Sequence, residues 1–200
     1  MSRFRVHFCV MNRKYELKER ARRQAQTRQR IIEAAVDLHT SVGPARTTIS
    51  GIAERAGVER HTVYAHFPDD RTLFRACSEH WTARHPMPDV VTLAEIEDPL
   101  RRLRRALGEM YAWFESVEAD LAHFVRDASL VPANADVLGE MTADFAILAD
   151  AVSQGWPRRK SVRAAIGHAF EFETWRSLVR RQGLSRTQAV DAMARLVSSV

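Results

Sequence analysis

Residues 58–68 gather several side chains that could do chemistry. Arg60, His61, Thr62, Tyr64 and His66 fall within seven residues, while Val58 and Val63 supply the apolar positions between them. On a helix that spacing turns the valines inward and leaves Arg60, His61, Thr62, Ala65 and His66 mostly outward. Such a face, rich in donors and cations, suits an anion or the edge of a base; arginine is the commonest specific partner of guanine O6 and N7. Tyr64 adds a phenolic tip on a ring that can pack against its own helix. Two plainer readings stand beside this one: a solvated Arg60, and a His66 that only caps the helix end.

Bond-making chemistry has no comparable constellation. The sequence holds no glycine-rich phosphate loop, no HExxH and no GxSxG. His80 and His85 are five apart, a poor ligand spacing on one helix, and the carboxylates are scattered rather than paired in apolar settings. Cys9 and Cys77 form no CxxC pair, which argues against a disulfide framework or a thiolate zinc site. The expectation is a non-enzyme with no metal and no cofactor.

The 200 residues carry 46% hydrophobic and 28% charged side chains, a globular balance. Charge is divided unevenly. Residues 1–68 hold 13 Lys/Arg against 6 Asp/Glu, a net of +7, and the rest hold 17 against 19, a net of −2. The basic excess points to an anionic partner for the first third alone, double-stranded DNA foremost, although a solvated basic tail is the plainer alternative. No apolar run reaches the roughly 18 residues of a membrane span. The opening MSRFRVHFCVMN is too short and too interrupted for a secretory signal, and Met11 is a second candidate start. The expected location is cytoplasmic, with no membrane partner.

The positioning elements read as helices with Pro and Gly punctuation. From Thr27 a stripe runs through Ile31, Ala35, Leu38 and Val42 and ends at Gly43-Pro44. Thr47-Thr48 offers caps for a short helix with Ile49, Ile52, Ala53 and Ala56 inward. Gly57 suits a left-handed turn into a third helix, from about Glu59 to His66. Phe67-Pro68 breaks it, and Asp69 or Asp70 caps a fourth helix carrying Leu73, Phe74, Cys77 and Trp81. After the boundary at His85-Pro86-Met87-Pro88, helices are predicted near 98–116, 119–129, 134–153, 160–182 and 186–198.

Thr47-Thr48-Ile49-Ser50-Gly51-Ile52-Ala53-Glu54-Arg55-Ala56-Gly57-Val58, followed by Thr62-Val63-Tyr64-Ala65-His66-Phe67-Pro68, strongly resembles the DNA-binding signature of TetR-family transcriptional regulators. The resemblance covers roughly residues 27–75; beyond residue 85 only the helical layout is similar. It implies an all-α fold: an N-terminal three-helix helix-turn-helix DNA-binding domain and a C-terminal helical ligand-binding and dimerisation domain. The expected division is a basic, flexible N-terminal arm at 1–24, the helix-turn-helix domain at 25–72 and the helical domain at 73–200. By resemblance the third helix enters the major groove, with Arg60 and His61 on base edges and Thr48, Tyr64 and His66 on phosphates. Arg46, Thr47, Thr62 and Arg71 complete the expected DNA-contacting set. Three positions depart from the family pattern: Glu59 replaces a common Ser, His61 a smaller or more rigid residue, and Asp70 a phosphate-gripping Lys, for which Arg71 is the neighbouring substitute.

The resemblance also implies an apolar ligand cavity, lined by Trp81, Met110, Trp113, Phe114, Phe124, Phe145 and Trp175, with His123 and His168 as polar groups. Ordinary core is the alternative for each of these residues. Ile166, Phe170, Leu178, Val190, Met193 and Val197, on the last two patterns, would form a four-helix homodimer interface. The function implied is a dimeric repressor released from a palindromic operator by a small lipophilic or aromatic ligand, coupled through the fourth helix. The alternative is a dimeric DNA-binding protein with no ligand response.

Overall fold

The computed structural model describes residues 3–89, 93 and 95–200, with the side chains of α1 described from Tyr15 onward. The apolar patch of the first dozen residues therefore lies outside the described side chains. Among the described residues the regular structure is helical: α1 (Arg3–Ser41), α2 (Ile49–Ala56), α3 (Arg60–His66), α4 (Asp70–Arg84), α5 (Pro99–Asp127), α6 (Pro132–Val152), α7 (Lys160–Ala169), α8 (Phe172–Arg176) and α9 (Arg186–Ser198). The chain divides into two compact units, Met1–His80 and Trp81–Val200. The boundary expected from the sequence is 72/73. Leu73, Ala76 and Cys77 instead join the core of the first unit, which carries that unit through most of α4.

In the first unit α1 supplies Ile31, Ile32, Ala34 and Ala35, α2 supplies Ile52, Ala53 and Ala56, and α3 supplies Val63, all buried with Phe67. The small alanines of α2 allow its close approach to α1 and α3. The predicted stripe ends one residue early, because α1 stops at Ser41 and Val42 is 39% exposed. The helix also starts far upstream of Thr27. Residues 13–30 lack an apolar stripe but consist largely of Arg, Gln, Glu, Lys and Ala, all strong helix formers. His39, which no motif singles out, is buried and stacks on Phe74 with ring centroids 4.4 Å apart. Burial lowers its pKa from 6.5 to about 4. Cys77 is buried as expected, and burial pushes its thiol up to about 12, which keeps it unreactive.

In the second unit α5 is the central element. Asp98 caps it through Arg101 N–H at 2.6 Å, Pro99 opens it, and Leu103, Ala106, Leu107, Met110, Tyr111, Phe114, Val117 and Leu121 lie buried along it. Periodicity predicts two helices here. No Gly or Pro falls between 116 and 119, and Val117 continues the buried stripe, so a single helix forms. The opposite difference occurs at 160–182. That stretch is interrupted at Phe170-Glu171, where Glu171 turns extended, and resumes as α8 and a π-helical segment, Ser177–Arg181. At the break the buried Tyr111 hydroxyl donates to Ala169 O at 2.9 Å, supplying a partner for a carbonyl at the helix end. α9 opens with a capping box from Ser185 and Gln188 and packs on α5. Arg102 is buried, donating to Ile96 O at 2.6 Å and also to the Gln154 carbonyl, so it ties the end of α6 to α5.

Candidate nucleic-acid interface

The first unit builds a helix-turn-helix from its caps upward. Thr48, extended at φ −119°, accepts from Gly51 N–H at 3.1 Å and starts α2. Gly57 ends α2 in the left-handed region, φ 63° and ψ 44°, while Val58 N–H returns to Ala53 O at 3.0 Å. An Arg55–Asp37 ion pair ties α2 to α1. α3 follows directly. Its N-cap, Glu59, makes no side-chain cap, in line with the weak capping expected of Glu at that position.

Val63 is fully buried and Phe67 nearly so, which fixes the rotation of α3 about its axis. That rotation turns Arg60, His61 and Tyr64 to solvent, with Thr62 and His66 half-buried. Arg60 and Tyr64 form one unit: the guanidinium donates to Tyr64 Oη at 3.3 Å and stands 5.7 Å from the ring centroid. Tyr64 itself is 43% exposed, with its phenolic tip at the surface of α3. The Thr62 hydroxyl lies 3.5 Å from His61 Nε2. Arg46 is exposed, and Thr47 Oγ1 donates to Gly43 O at 2.9 Å. Thr48 is exposed, and its hydroxyl hydrogen remains available beyond the cap. Arg71 and Asp70 are both exposed in the first turn of α4. The cap of that helix is Asp69, which accepts from Thr72 N–H and Oγ1 at 2.7 Å each. Those two bonds hold the Asp69 carboxyl below the usual range. Arg28, a residue outside every motif of the sequence, lies over the Phe67 ring at 4.9 Å.

The residues expected to line a ligand cavity lie in and around the aromatic core of the second unit. Met110, Phe114 and Trp175 are fully buried, and Trp81 and Trp113 nearly so. Their rings pack on one another: Trp81 with Trp113 at 6.1 Å and Phe124 at 5.9 Å, Trp113 with Phe145 at 6.1 Å, and Phe114 with Trp175 at 5.7 Å. His123 is half-buried, with its Nδ1 buried and without a partner. His168 is exposed, 3.3 Å from Thr174 Oγ1. A cleft of about 560 Å³ lies elsewhere in this unit, lined by residues 153–160 with Val162 and Arg163, and includes none of the expected set. Of the expected interface residues, Ile166, Phe170, Val190, Met193 and Val197 are buried within the single chain, and Leu178 is half-buried. Periodicity marks these side chains as apolar and helical, but it does not say which apolar face a chain consumes in its own core.

Among the described residues no group of three or more His, Cys, Asp or Glu side chains is placed to hold a metal ion, and no helix is long and apolar enough to cross a membrane. Residues 31–77 match the family model described as bacterial regulatory proteins, tetR family. A curated relative, the HTH-type transcriptional regulator TtgR of Pseudomonas putida, is 37% identical over 94 residues. That alignment takes in 46% of this chain and 45% of TtgR, so the chain spans less than half the length of this relative. A Mesorhizobium loti protein assigned to the TetR family has a similar solved structure, with TM-score 0.61, 20% identity, and 88% of this chain and 97% of that one covered. The multidrug binding protein EbrR, solved in complex with imidazole, gives TM-score 0.56 at 22% identity over 84% of this chain and 88% of its own. Over residues 31–77 this chain is therefore similar to the tetR family of bacterial regulatory proteins, and the curated relatives it matches are named as transcriptional regulators.

Proposed function

We propose that the chain is a sequence-specific DNA-binding transcriptional regulator, a dimeric repressor that leaves a palindromic operator when a small molecule binds. The observation that carries this reading is α3: Val63 locks one side into the core, and the Arg60–Tyr64 pair stands on the other. α3 lies in the major groove with Arg60 and His61 on base edges. Thr48, Tyr64 and His66 hold phosphates, flanked by Arg46, Thr47, Thr62 and Arg71, and these contacts set register rather than sequence. Two protomers read the two halves of the operator about one helical turn apart. With Ile166, Phe170, Val190, Met193 and Val197 occupied inside the chain, the dimer contact uses the outward faces of the same helices, where Leu196 is 47% exposed and Leu178 half-buried. Selection of bound sequences from a random DNA pool tests the proposal. An inverted repeat should emerge, and enrichment of an unpaired half-site or of no sequence would contradict it.

The ligand half rests on the aromatic-rich second unit and on the EbrR complex with imidazole. A ligand that favours one spacing of the recognition helices shifts the population of the dimer, coupled through α4. A coupling of about 1–3 kcal/mol changes DNA affinity several-fold to a hundred-fold. A second reading, with no ligand response, is supported by the packing of Trp113, Phe114, Phe145 and Trp175 on one another, as in an ordinary aromatic core. A thermal-shift screen of lipophilic and aromatic compounds separates the two, because binding to the native state raises the melting temperature by mass action.

A further inference from the structure

The charge that DNA binding requires does not sit on the helix-turn-helix. Residues 31–80 carry five Lys/Arg against seven Asp/Glu, a net of −2, whereas residues 13–30 carry eight against two, a net of +6. All eight cations, Arg13, Lys14, Lys18, Arg20, Arg22, Arg23, Arg28 and Arg30, lie on the N-terminal stretch of α1. Phosphate neutralisation by Lys and Arg supplies most sequence-independent affinity for DNA, so residues 31–80 without the rest of α1 would approach a polyanion against net repulsion.

The stretch is built to present these cations. From Lys18 to Arg30 every one of them is exposed, as are Tyr15 at 64% and Leu17 at 60%. Their own helix offers little neutralisation: Glu19 meets Arg22 at 3.8 Å, a loose contact on the surface. Two cations lie beside the helix-turn-helix, and one of them packs on it. Arg28 covers the Phe67 ring at the end of α3, and Arg30 Nη1 reaches within 3.9 Å of the Cβ position at Gly57, in the turn between α2 and α3. From there the helix runs back to Arg13 over about 26 Å at 1.5 Å per residue. A duplex exposes one phosphate charge per about 1.7 Å of its axis, so a rod of this length faces many phosphates at once.

We infer that the basic stretch of α1, residues 13–30, is a phosphate-gripping arm that supplies most of the non-specific affinity for DNA, while α3 supplies the discrimination. This rests on the DNA-binding reading above and assigns a separate part of it. The exchange Lys18→Gln, Arg20→Gln, Arg22→Gln and Arg23→Gln tests it in the full chain, since Gln is about as good a helix former as Lys or Arg. Binding to operator and to scrambled duplex is titrated across a salt series. The slope of log K against log salt should become shallower by about 0.9 for each phosphate no longer neutralised, up to about 3.6 for four. Operator and scrambled affinities should fall by the same factor, so their ratio stays fixed. The matching exchange of Arg20, Arg22 and Arg23 to Lys should keep the parent slope, because a phosphate needs the charge and not the guanidinium fork. An unchanged slope in the glutamine variant overturns the inference. If the same variant changes oligomeric state, the stretch serves a second copy of the chain instead. Should Arg60→Ala lose operator preference while the glutamine variant keeps its slope, only the arm falls. A parent chain that binds no duplex even at low salt removes both.

Discussion

His39 is expected to make the first unit sensitive to acid, and the size of the effect follows from its site. The imidazole is 4% exposed and stacked on Phe74 at 4.4 Å with planes 24° apart, so a proton on it would charge a ring held among apolar groups. Folding lowers its pKa from 6.5 to about 4. The native state therefore binds fewer protons than the unfolded chain between those values, and stability rises with pH across that window. The contribution is fully present above pH 6.5 and is lost as pH falls toward 4. At 1.36 kcal/mol per pKa unit the full loss amounts to about 3 kcal/mol, a large part of the 5–15 kcal/mol typical of a whole domain. The check is urea unfolding followed by far-UV circular dichroism at pH 7, 5.5 and 4.5, comparing the parent with His39→Leu. The variant carries its own packing offset, which does not depend on pH, so the gap between the two proteins is the readout. That gap should shift by about 2–3 kcal/mol in favour of His39→Leu on going from pH 7 to 4.5. Parallel pH dependences, or a parent stabilised by acid, would show that His39 is not the source of the acid sensitivity.

Other perturbations have directions fixed by the structure. Gly57→Ala should destabilise by about 1–2 kcal/mol through its left-handed backbone alone, since only Arg30 Nη1 lies near the new methyl, at 3.9 Å. Gly57→Asn should cost less, and urea unfolding ranks the two. Thr48→Ala removes the cap of α2 and should cost about 1 kcal/mol, while Thr48→Ser keeps it; melting temperatures separate them. Tyr111→Phe leaves the Ala169 carbonyl without its buried donor and should cost about 1–3 kcal/mol, read as a lower denaturation midpoint with unchanged m-value.

Local signals carry the first unit well. Thr48, Gly57 and Phe67-Pro68 mark helix ends by capping and backbone preference, which depend on near neighbours, and the structure puts ends at those places. The upstream reach of α1 is hidden from amphipathic spacing, because residues 13–30 are polar all round. Elsewhere the missing information is long-range. The Ala169 carbonyl at the break is satisfied by a tyrosine 58 residues away, and buried Arg102 donates to the Gln154 carbonyl, 52 residues on. Glu and Ser at 115–118 read as a polar interruption, but on one side of a helix they leave the stripe through Phe114, Val117 and Leu121 intact. The aromatic residues of α5 are legible as apolar; whether they enclose a space or fill it depends on partners such as Phe145 and Trp175 from other helices.

That α3 reads DNA sequence is checked by a fluorescence-anisotropy titration at physiological salt, of the full chain against duplex from its own upstream region and against a scrambled duplex. Preferential binding of the upstream duplex is expected, two protomers per site, with the preference lost in Arg60→Ala. Absence of binding to either duplex, down to the lowest salt, would overturn the DNA-reading assignment and direct attention first to Asp70 and Glu59.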